Sequence, residues 1–412
     1  MSKGYSDKKR PVGMRNVVAL GLVSFFTDFS TEMILGILPL FIVSNLGASK
    51  TILGSIEGSA ELVSYAFRMI SGSLSDKLGK RKIFVLSGYA ISTISKPFFA
   101  ITTGWLGAFI VRASDRMGKG IRTAPRDALI ADSISESSAG KAFGIHRTID
   151  QMGAIVGPIT AFALLQVIDV RGIFLVSLIP GALAMLILIF VVKEIAIKRR
   201  NNATTTITFF SNIRYVLKGN NNRQFVILII ISGIFSLAAF NFSFILLRAS
   251  DFGVQKDLVP LVYAVINISH TAIGIPSGLL ADRIGKEKVL IIGYTVFIFS
   301  SLFMIAFTRS DPVYAYILAA IFGVYVGISE TVQRAVIPRY VTPELRGTAY
   351  GIFYIVTGAG FFVSNIVFGF LWDNYSLNAA VSYSIVLALA AVVGMMIFTK
   401  KYPISRTKTS VL

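Results

Sequence analysis

Two carboxylates in the first apolar stretch are the residues of this sequence whose types and spacing most directly suggest chemistry. Asp28 and Glu32 stand four residues apart in SFFTDFSTEMILGILPLF, so a helix places both on one face. In a medium of low dielectric, two neighbouring carboxylates cannot both ionise cheaply. We expect one of them to hold a proton, as a proton-coupled reaction requires. Alternatively, an ionised Asp28 could bind a cationic substrate or a metal ion.

Thirteen charged residues interrupt the apolar stretches, and eleven of them lie in the first half of the chain. Each costs at least about 2.5–3.5 kcal/mol at membrane depth, so such residues usually mark function. The acids are Asp28, Glu32, Glu57, Glu61, Asp115, Asp150 and Glu330, and the bases are Arg68, Lys96, Arg112, Arg116, Arg147 and Arg334. We predict that proton coupling and substrate binding use Asp28, Glu32, Glu61, Arg112, Lys96 and Asp150. The more apolar second half is expected to shape the cavity, with Asn241, Asn267 and His270 as its polar wall.

Several of these residues have a second interpretation. Glu57 lies towards one end of its stretch and is compatible with a solvated position at the mouth of a cavity. Lys96, followed by a proline that predicts a kink, either meets a carboxylate or an anionic substrate, or extends to the membrane surface. The pairs Arg147–Asp150 and Glu330–Arg334, three and four residues apart, are compatible with self-neutralised ion pairs.

The elements that must position these residues are twelve long apolar stretches. Of the 412 residues, 54% are hydrophobic and only 15% are charged, whereas soluble proteins have roughly 25% charged residues. Stretches of this length and composition predict membrane-spanning helices. In chain order, helices 1 to 12 are predicted at 16–45, 51–74, 83–103, 106–122, 142–166, 172–192, 224–248, 258–281, 289–308, 312–336, 347–372 and 378–399. The fold class is therefore an all-α integral membrane protein.

The excess of basic residues follows from topology. The formal net charge is +19, and 29 of the 40 Lys and Arg residues fall on the side of the predicted bundle that carries the N-terminus. Because basic loops stay in the cytoplasm, we expect both termini and the central loop to be cytoplasmic. The basic residues then need no nucleic-acid partner, and a lipid bilayer accounts for the composition.

The chain contains an internal repeat. The segment GSLSDKLGKRK at 72–82 recurs as GLLADRIGKEK at 278–288, an offset of 206, and GKAFGI at 140 recurs as GTAYGI at 347, an offset of 207. Two matches at nearly one offset predict two six-helix halves of the same orientation, with a substrate site between them. The predicted domains are 1–192 and 224–412, joined by a central loop at 193–223.

The repeated segment resembles motif A of the major facilitator superfamily, a family of secondary transporters. The residues in motif A positions are Asp76, Gly79 and Arg81, with Asp282 in the second copy. The segment from Arg112 resembles motif B, although Asp115 and Arg116 stand where glutamine and glycine are usual. Gly153, Gly157 and Pro158 resemble motif C of proton-coupled exporters, without its final two glycines. The resemblance covers essentially the whole chain and implies a twelve-helix fold that alternates between two openings.

The motifs imply a gate. Asp76 is expected to meet the positive end of helix 11 near Gly347 and to hold the halves together on the cytoplasmic side. Gly79 allows the turn, and Asp282 is expected to be a weaker copy of the same contact. Arg81, with the lysines beside it, is expected to hold the motif A loop in the cytoplasm. An ion-pair network is expected either to close the cytoplasmic mouth or to be purely structural, and its members are Arg112, Asp115, Arg116, Lys119, Arg122, Arg126 and Asp127.

The leading hypothesis is proton-coupled export of a small molecule, either drug-like or a metabolite, through the plasma membrane by a monomer. One alternative is a proton symporter that imports a sugar, organic acid or peptide. Another is an exporter of divalent metal cations, for which two histidines and no cysteine offer few ligands. No phosphate-binding loop, dinucleotide fingerprint or metalloprotease motif occurs, so neither an enzyme, nor a cofactor, nor a resident metal is expected.

Overall fold

The protein is all-helical throughout the part described by the computed structural model, residues 13–135, 138–195, 223–307, 310–342 and 345–402. Its helices are α1 Met14–Asn45, α2 Lys50–Leu78, α3 Arg81–Ile101, α4 Trp105–Asp132, α5 Ala139–Leu165, α6 Val170–Phe190, α7 Arg223–Asp251, α8 Val259–Ile284, α9 Lys286–Ala306, α10 Pro312–Arg339, α11 Arg346–Asn374 and α12 Leu377–Lys401. Each predicted helix has its counterpart here. Most of the predicted central loop lies outside the described residues.

Ten of the twelve helices in this part of the chain are long and apolar enough to cross a membrane. The other two, α2 and α4, carry three each of the thirteen charged residues that the sequence places inside the bundle. Helix α4 also continues ten residues beyond its predicted end at 122, because its last turns are polar and an apolar-length criterion does not detect them.

Five helices are irregular; α6 is interrupted at Ser177 and α10 ends in a 3-10 turn at Ile337–Arg339, and the other three are α1, α3 and α7. α1 is α-helical over Met14–Leu35 and ends in a π-helical turn at Phe41–Asn45. α3 changes to a 3-10 helix at Lys96–Ile101, where the adjacent Pro97 removes a backbone donor, as predicted. α7 is interrupted between Ala238 and Phe242, which the sequence did not predict.

The helices pack in the same pattern in both halves. In the first half α1 packs against α5 and α6, α2 against α4, and α3 against α4 and α6. In the second half α7 packs against α11 and α12, α8 against α10, and α9 against α10 and α12. The two halves meet chiefly through α2 with α11 and through α5 with α8, so the repeat relates one interface to the other.

The interiors of the two halves differ in chemistry. The second half is filled with aromatic rings, including Phe235 stacked on Tyr294 at a centroid distance of 3.6 Å and Phe240 against Phe368 at 4.4 Å. The first half instead buries Arg112, Glu57, Asp115, Arg116 and Lys96. The charge asymmetry of the sequence is therefore an asymmetry of the two bundle interiors.

The two halves come into close backbone contact near one side of the membrane. We call the side on which α1 begins and α12 ends the basic side, and the other the opposite side. Near the opposite side, a Cβ added to Gly54 would lie 2.7 Å from the carbonyl carbon of Asn365 and closer still to its oxygen. At the basic ends of α5 and α11, by contrast, Gly140 and Gly347 have nothing within 4 Å of such a Cβ. The halves are thus in backbone contact near the opposite side, whereas these two helix starts on the basic side have open space around them.

Candidate functional site

An ion pair between α2 and α4 lies in the interior of the first half. The guanidinium of Arg112 donates to both oxygens of Glu57, at 3.1 and 2.7 Å, and both side chains are only 1% exposed. Arg112 also lies 3.4 Å from Asp115, which accepts a 2.5 Å hydrogen bond from Ser92 on α3. A two-point Arg–carboxylate contact is directional and strong. Glu57 is therefore buried in the bundle rather than solvated at its mouth.

Asp115 and Arg116 belong to the same interior cluster. Arg116 lies 3.7 Å from Glu61 on α2, one turn along from the Arg112–Glu57 pair. The sequence predicted Asp115 and Arg116 for a network at the cytoplasmic mouth. They lie in the interior instead, because positions 112, 115 and 116 share the face of α4 that packs on α2 and α3.

Lys96 is buried between α3 and α1. Its ammonium donates a 3.1 Å hydrogen bond to the hydroxyl of Thr31, and its side chain is inaccessible to solvent. It does not extend to the membrane surface. The contact places the ammonium of Lys96 beside α1, the helix that carries Asp28 and Glu32.

The two carboxylates of α1 have different surroundings. Glu32 accepts a 2.5 Å hydrogen bond from the hydroxyl of Tyr263 on α8, a contact between the two halves. Asp28 is half-buried and makes no hydrogen bond or ion pair with any residue that the structure describes. The strongest charges acting on Asp28 are those of Asp150 and Lys119. Asp28 is thus the carboxylate free to take another partner.

Asp150 lies beside Asp28 on the neighbouring helix α5. It pairs with Arg147 at 3.3 Å, as its spacing suggested, and lies 3.9 Å from Arg126 on α4. Arg126 also donates to Ser24 on α1, which contacts the imidazole of His146 at 3.1 Å. These contacts tie α1, α4 and α5 together at the basic end of the site.

Glu330 makes contacts that the sequence did not predict. It lies 3.4 Å from Arg334, the local partner that was expected, but also 3.7 Å from His270 and 3.5 Å from Arg147 of the other half. The Arg147 contact joins residues 183 positions apart, and no local spacing signals it. His270 accordingly lies at the interface between α8, α10 and α5.

The two asparagines proposed for the cavity wall have different positions. Asn267 on α8 donates a 2.9 Å hydrogen bond to the carbonyl of Ala154 on α5, which links the halves. Asn241 lies at the break in α7, where its side chain caps the second segment through the N–H of Ser243. The N–H of Asn241 donates to the side chain of Asn365 on α11. Asn241 therefore stabilises the break rather than lining the cavity.

The motif A residues form a chain of ion pairs on the basic side. Arg81 lies 3.3 Å from Asp76 and 2.9 Å from Asp132 at the end of α4. Gly79 ends α2 in the left-handed conformation, at φ 64°. The side chain of Asp76 is 66% exposed, and among the described residues its ion pair is with Arg81 rather than with the start of α11. Asp282, its repeat equivalent, is also exposed.

The second half reverses the charges of one of these pairs. Positions 287 and 339, the repeat equivalents of Arg81 and Asp132, are Glu287 and Arg339, 3.6 Å apart. Tyr340 also donates a hydrogen bond to Glu287. The contact is therefore kept in both repeats although its polarity is inverted.

The motif C glycines permit close contact of α5 with α1. A Cβ on Gly153 would lie 3.0 Å from the carbonyl carbon of Phe25 and closer to its oxygen. A Cβ on Gly157 would lie 2.8 Å from the carbonyl oxygen of Phe29 and 2.9 Å from Cβ of Glu32. Pro158 lies within the helix beside them. These glycines set the position of the helix that carries Asp28 and Glu32.

Replacing Gly153 by Ala should therefore reduce both stability and transport. The added methyl group meets backbone rather than a flexible side chain, and overpacking of this kind costs roughly 1–3 kcal/mol. Gly144→Ala, on the same helix with open space around it, is the matched control. The melting temperature in detergent and the transport rate should fall for Gly153→Ala only. Equal behaviour of both variants would contradict this interpretation of the contact.

The described side chains offer no group of three or more His, Asp or Glu residues arranged to hold a metal ion. The carboxylates of the site are instead surrounded by Arg and Lys side chains or bonded to tyrosine. This arrangement suits proton exchange or recognition of an organic group better than metal coordination.

Comparison with known proteins agrees with the fold and repeat. The family model of the Major Facilitator Superfamily matches residues 20–267 and 226–411. An uncharacterised MFS-type transporter of Methanocaldococcus jannaschii is 36% identical over 383 residues, which cover 91% of this chain and 92% of that protein. The multi-drug resistance efflux pump PmrA of Streptococcus pneumoniae is 24% identical over 316 residues, covering 74% of this chain and 76% of the pump.

Solved structures give the same fold at low identity. A variant of the nucleoside transporter NupG superposes with a TM-score of 0.79 at 15% identity, covering 94% of this chain and all of NupG. A POT family transporter bound to 5-aminolevulinic acid has a TM-score of 0.77 at 14% identity, covering 94% of this chain and 96% of the other. The family model spans nearly the whole chain, and the twelve helices pair as two repeats. The protein therefore belongs to the major facilitator superfamily and is a multi-pass membrane transporter.

Proposed function

We propose that this transporter exports a small organic molecule in exchange for protons, with Asp28 and Glu32 as the groups that carry them. The observation that supports the proposal is the state of these two carboxylates. Asp28 has no described partner, whereas Glu32 is hydrogen-bonded to Tyr263 across the two halves. One carboxylate is thus available to substrate, and the other has a contact that depends on how the halves are arranged.

The Glu32–Tyr263 contact offers a route from proton binding to conformation. A phenol donates a stronger hydrogen bond to an ionised carboxylate than to a protonated one. While the cavity opens to the basic side, Tyr263 therefore favours release of the proton from Glu32. When the halves separate on the opposite side, that donor moves away and Glu32 can bind a proton from that side. Proton movement from the opposite side to the basic side follows.

Substrate and protons would compete for the same carboxylates, so neither could cross the membrane without the other crossing in return. A positively charged substrate that enters from the basic side finds Asp28 without a counter-ion, and it cannot bind while the same carboxylate holds a proton. Arg112, Arg116 and Lys96 supply fixed positive charges on the other side of α1 and α2, with Glu61 neutralising part of them. Substrate leaves when protons return, so the two fluxes run in opposite directions.

The direction of export rests on orientation. Most Lys and Arg residues lie on the basic side, which the distribution of positive charge assigns to the cytoplasm. The proposed location is the plasma membrane. Asp76 and Asp282 would then act as cytoplasmic gates in the outward-open state. The efflux pump PmrA among the relatives supports export, while the nucleoside and peptide transporters among structural neighbours show only the fold.

Proteoliposomes with an imposed pH gradient test the proposal, with ethidium as the organic cation and uridine and a dipeptide as comparison compounds. Ethidium should move against the direction of proton flow and reverse when the gradient is reversed. This counterflow should be lost in Asp28→Asn and Glu32→Gln, because neither amide binds and releases a proton. Asp169→Asn, a carboxylate on the opposite side that caps its own helix, is the matched control and should transport normally.

Movement of any probe in the same direction as protons would instead favour import by symport. Full ethidium counterflow in both Asp28→Asn and Glu32→Gln would contradict the assignment of these residues.

A further inference from the structure

The opposite side is closed by a carboxylate of one half bound to a helix terminus of the other. Asp373, at the end of α11, accepts hydrogen bonds from the backbone N–H groups of Lys50 and Thr51 at 3.1 and 2.7 Å. It also accepts a 2.8 Å bond from the Thr51 hydroxyl and lies 3.5 Å from the Lys50 ammonium. The positive end of α2 is thus held by the last turn of α11.

The cap of α2 is shared between the two halves. Ser49 of the same half caps one N–H of that helix, that of Ile52, and Asp373 accepts from the two N–H groups before it. The bonds to Asp373 are additional, and all of them cross between the halves. Lys50 also lies 5.3 Å from the ring of Trp372, the residue before Asp373.

The other interface between the halves has the repeat-related contact. The offset of 207 that relates α5 to α11 maps Gln166 onto Asp373, and the offset of 206 that relates α2 to α8 maps Thr51 onto Asp257. Gln166 and Asp257 are hydrogen-bonded at 3.3 Å, from the end of α5 to the start of α8. Both interfaces between the halves are therefore hydrogen-bonded on the opposite side, by residues at equivalent positions of the two repeats.

The basic side has carboxylates in corresponding positions, but they are exposed. Asp76 and Asp282 lie in the last turns of the same two helices, α2 and α8, at their basic ends, and would reach the starts of α11 and α5. Both carboxylates are exposed, and the helix starts at Gly347 and Gly140 have open space around them. The pairs α2–α11 and α5–α8 thus each have a carboxylate at both ends. In the described part of the chain, the carboxylates on the opposite side are the ones that bond to the other half.

We infer that Asp373, supported by Gln166 and Asp257, is the latch that holds the opposite side closed, and that it alternates with the Asp76 contact during transport. We call the Asp373–Lys50–Thr51 contact the α11 latch. It must break before the cavity opens to the opposite side. The inference depends only on alternation between two openings, and it holds whatever the substrate and coupling ion are.

Distance measurements between spin labels test the latch directly. The chain has no cysteine, so labels attach only where cysteine is introduced. One pair, Leu106→Cys with Val313→Cys, reports on the opposite side, and Leu78→Cys with Ile284→Cys reports on the basic side. All four residues are exposed, and each pair joins the two halves.

In Asp373→Asn the opposite-side pair should gain a longer distance and the basic-side pair a shorter one. Loss of a charge-assisted contact of this kind should raise the ratio of opposite-open to basic-open molecules about tenfold. Thr51→Val, which removes one hydrogen bond and leaves the backbone bonds, should give a smaller shift in the same direction. Asp76→Asn should leave the opposite side closed.

Asp169→Asn is the matched control, because Asp169 caps α6 within one half and on the same side. Unchanged distances in Asp373→Asn, or an equal shift in Asp169→Asn, would overturn the inference. Because the readout needs neither substrate nor protons, it is independent of whether the proposed exchange is correct.

Discussion

Replacing Glu57 by Gln is expected to lower the free energy of unfolding by about 3 kcal/mol, because it leaves the guanidinium of Arg112 buried without its principal counter-ion. Both side chains are 1% exposed, and the pair has two hydrogen bonds of 3.1 and 2.7 Å. The contact to Asp115, at 3.4 Å, compensates only part of the lost charge. The measurement is denaturant unfolding in detergent micelles, followed by circular dichroism.

The same substitution at an exposed glutamate is the control. Glu330→Gln removes the charge that contacts Arg147, Arg334 and His270, but the side chain is 47% exposed. Such exposed pairs contribute only about 0–1 kcal/mol, so its effect on unfolding should be small. A loss at Glu330 as large as that at Glu57 would show that burial does not decide the cost.

A double-mutant cycle separates the pair from its surroundings. Arg112→Met also leaves Glu57 buried without a partner, so it should be strongly destabilising alone. The double variant Glu57→Gln, Arg112→Met removes both charges and should lose less stability than the sum of the two single changes. Additive losses would mean that the two side chains stabilise the bundle independently of one another.

The architecture was predictable because its signals are local or periodic. Apolar stretches gave twelve helices, and the matches at offsets 206 and 207 gave two repeats whose helices pack in the same pattern. Gly79 marks its turn through the left-handed conformation that glycine adopts readily. The spacing of Asp28 and Glu32 correctly put them on a common helix, because helical periodicity needs no knowledge of other elements.

The partners of the charged residues were not predictable in the same way. Arg112 meets Glu57 across 55 positions and Arg147 meets Glu330 across 183, and both distances depend on how helices pack. The break in α7 has no glycine or proline to signal it. Part of its capping comes from Asn365, 124 residues away, whose side chain accepts from the N–H of Asn241. The prediction that Asp115 and Arg116 lie at the cytoplasmic mouth was also wrong. The apolar part of α4 ends near 122, but the helix continues to Asp132, so both residues lie deeper in the bundle.

A single methyl group at Gly54 should abolish transport by preventing closure of the opposite side. The Cβ of Gly54→Ala would lie 2.7 Å from the carbonyl carbon of Asn365 and 3.3 Å from the nitrogen of Ile366, and closer to the Asn365 oxygen. All of these atoms belong to the backbone of α11, so no side chain can move aside. Overpacking of about 1–3 kcal/mol would favour the conformation that opens to the opposite side by roughly 5- to 150-fold.

The Gly54→Ala protein should nevertheless fold, because the atoms it would meet lie in the other half and the contacts of α2 with α4 are unaffected. Its melting temperature should change little, while the Leu106–Val313 label distance increases and ethidium counterflow stops. Gly104→Ala, on the same side with nothing within 4 Å, should behave like the unmodified protein. Normal transport by Gly54→Ala would mean that close approach of α2 and α11 is not required in the cycle. Loss of transport together with an opened opposite side would instead make this glycine, like the α11 latch, a condition for the closed state.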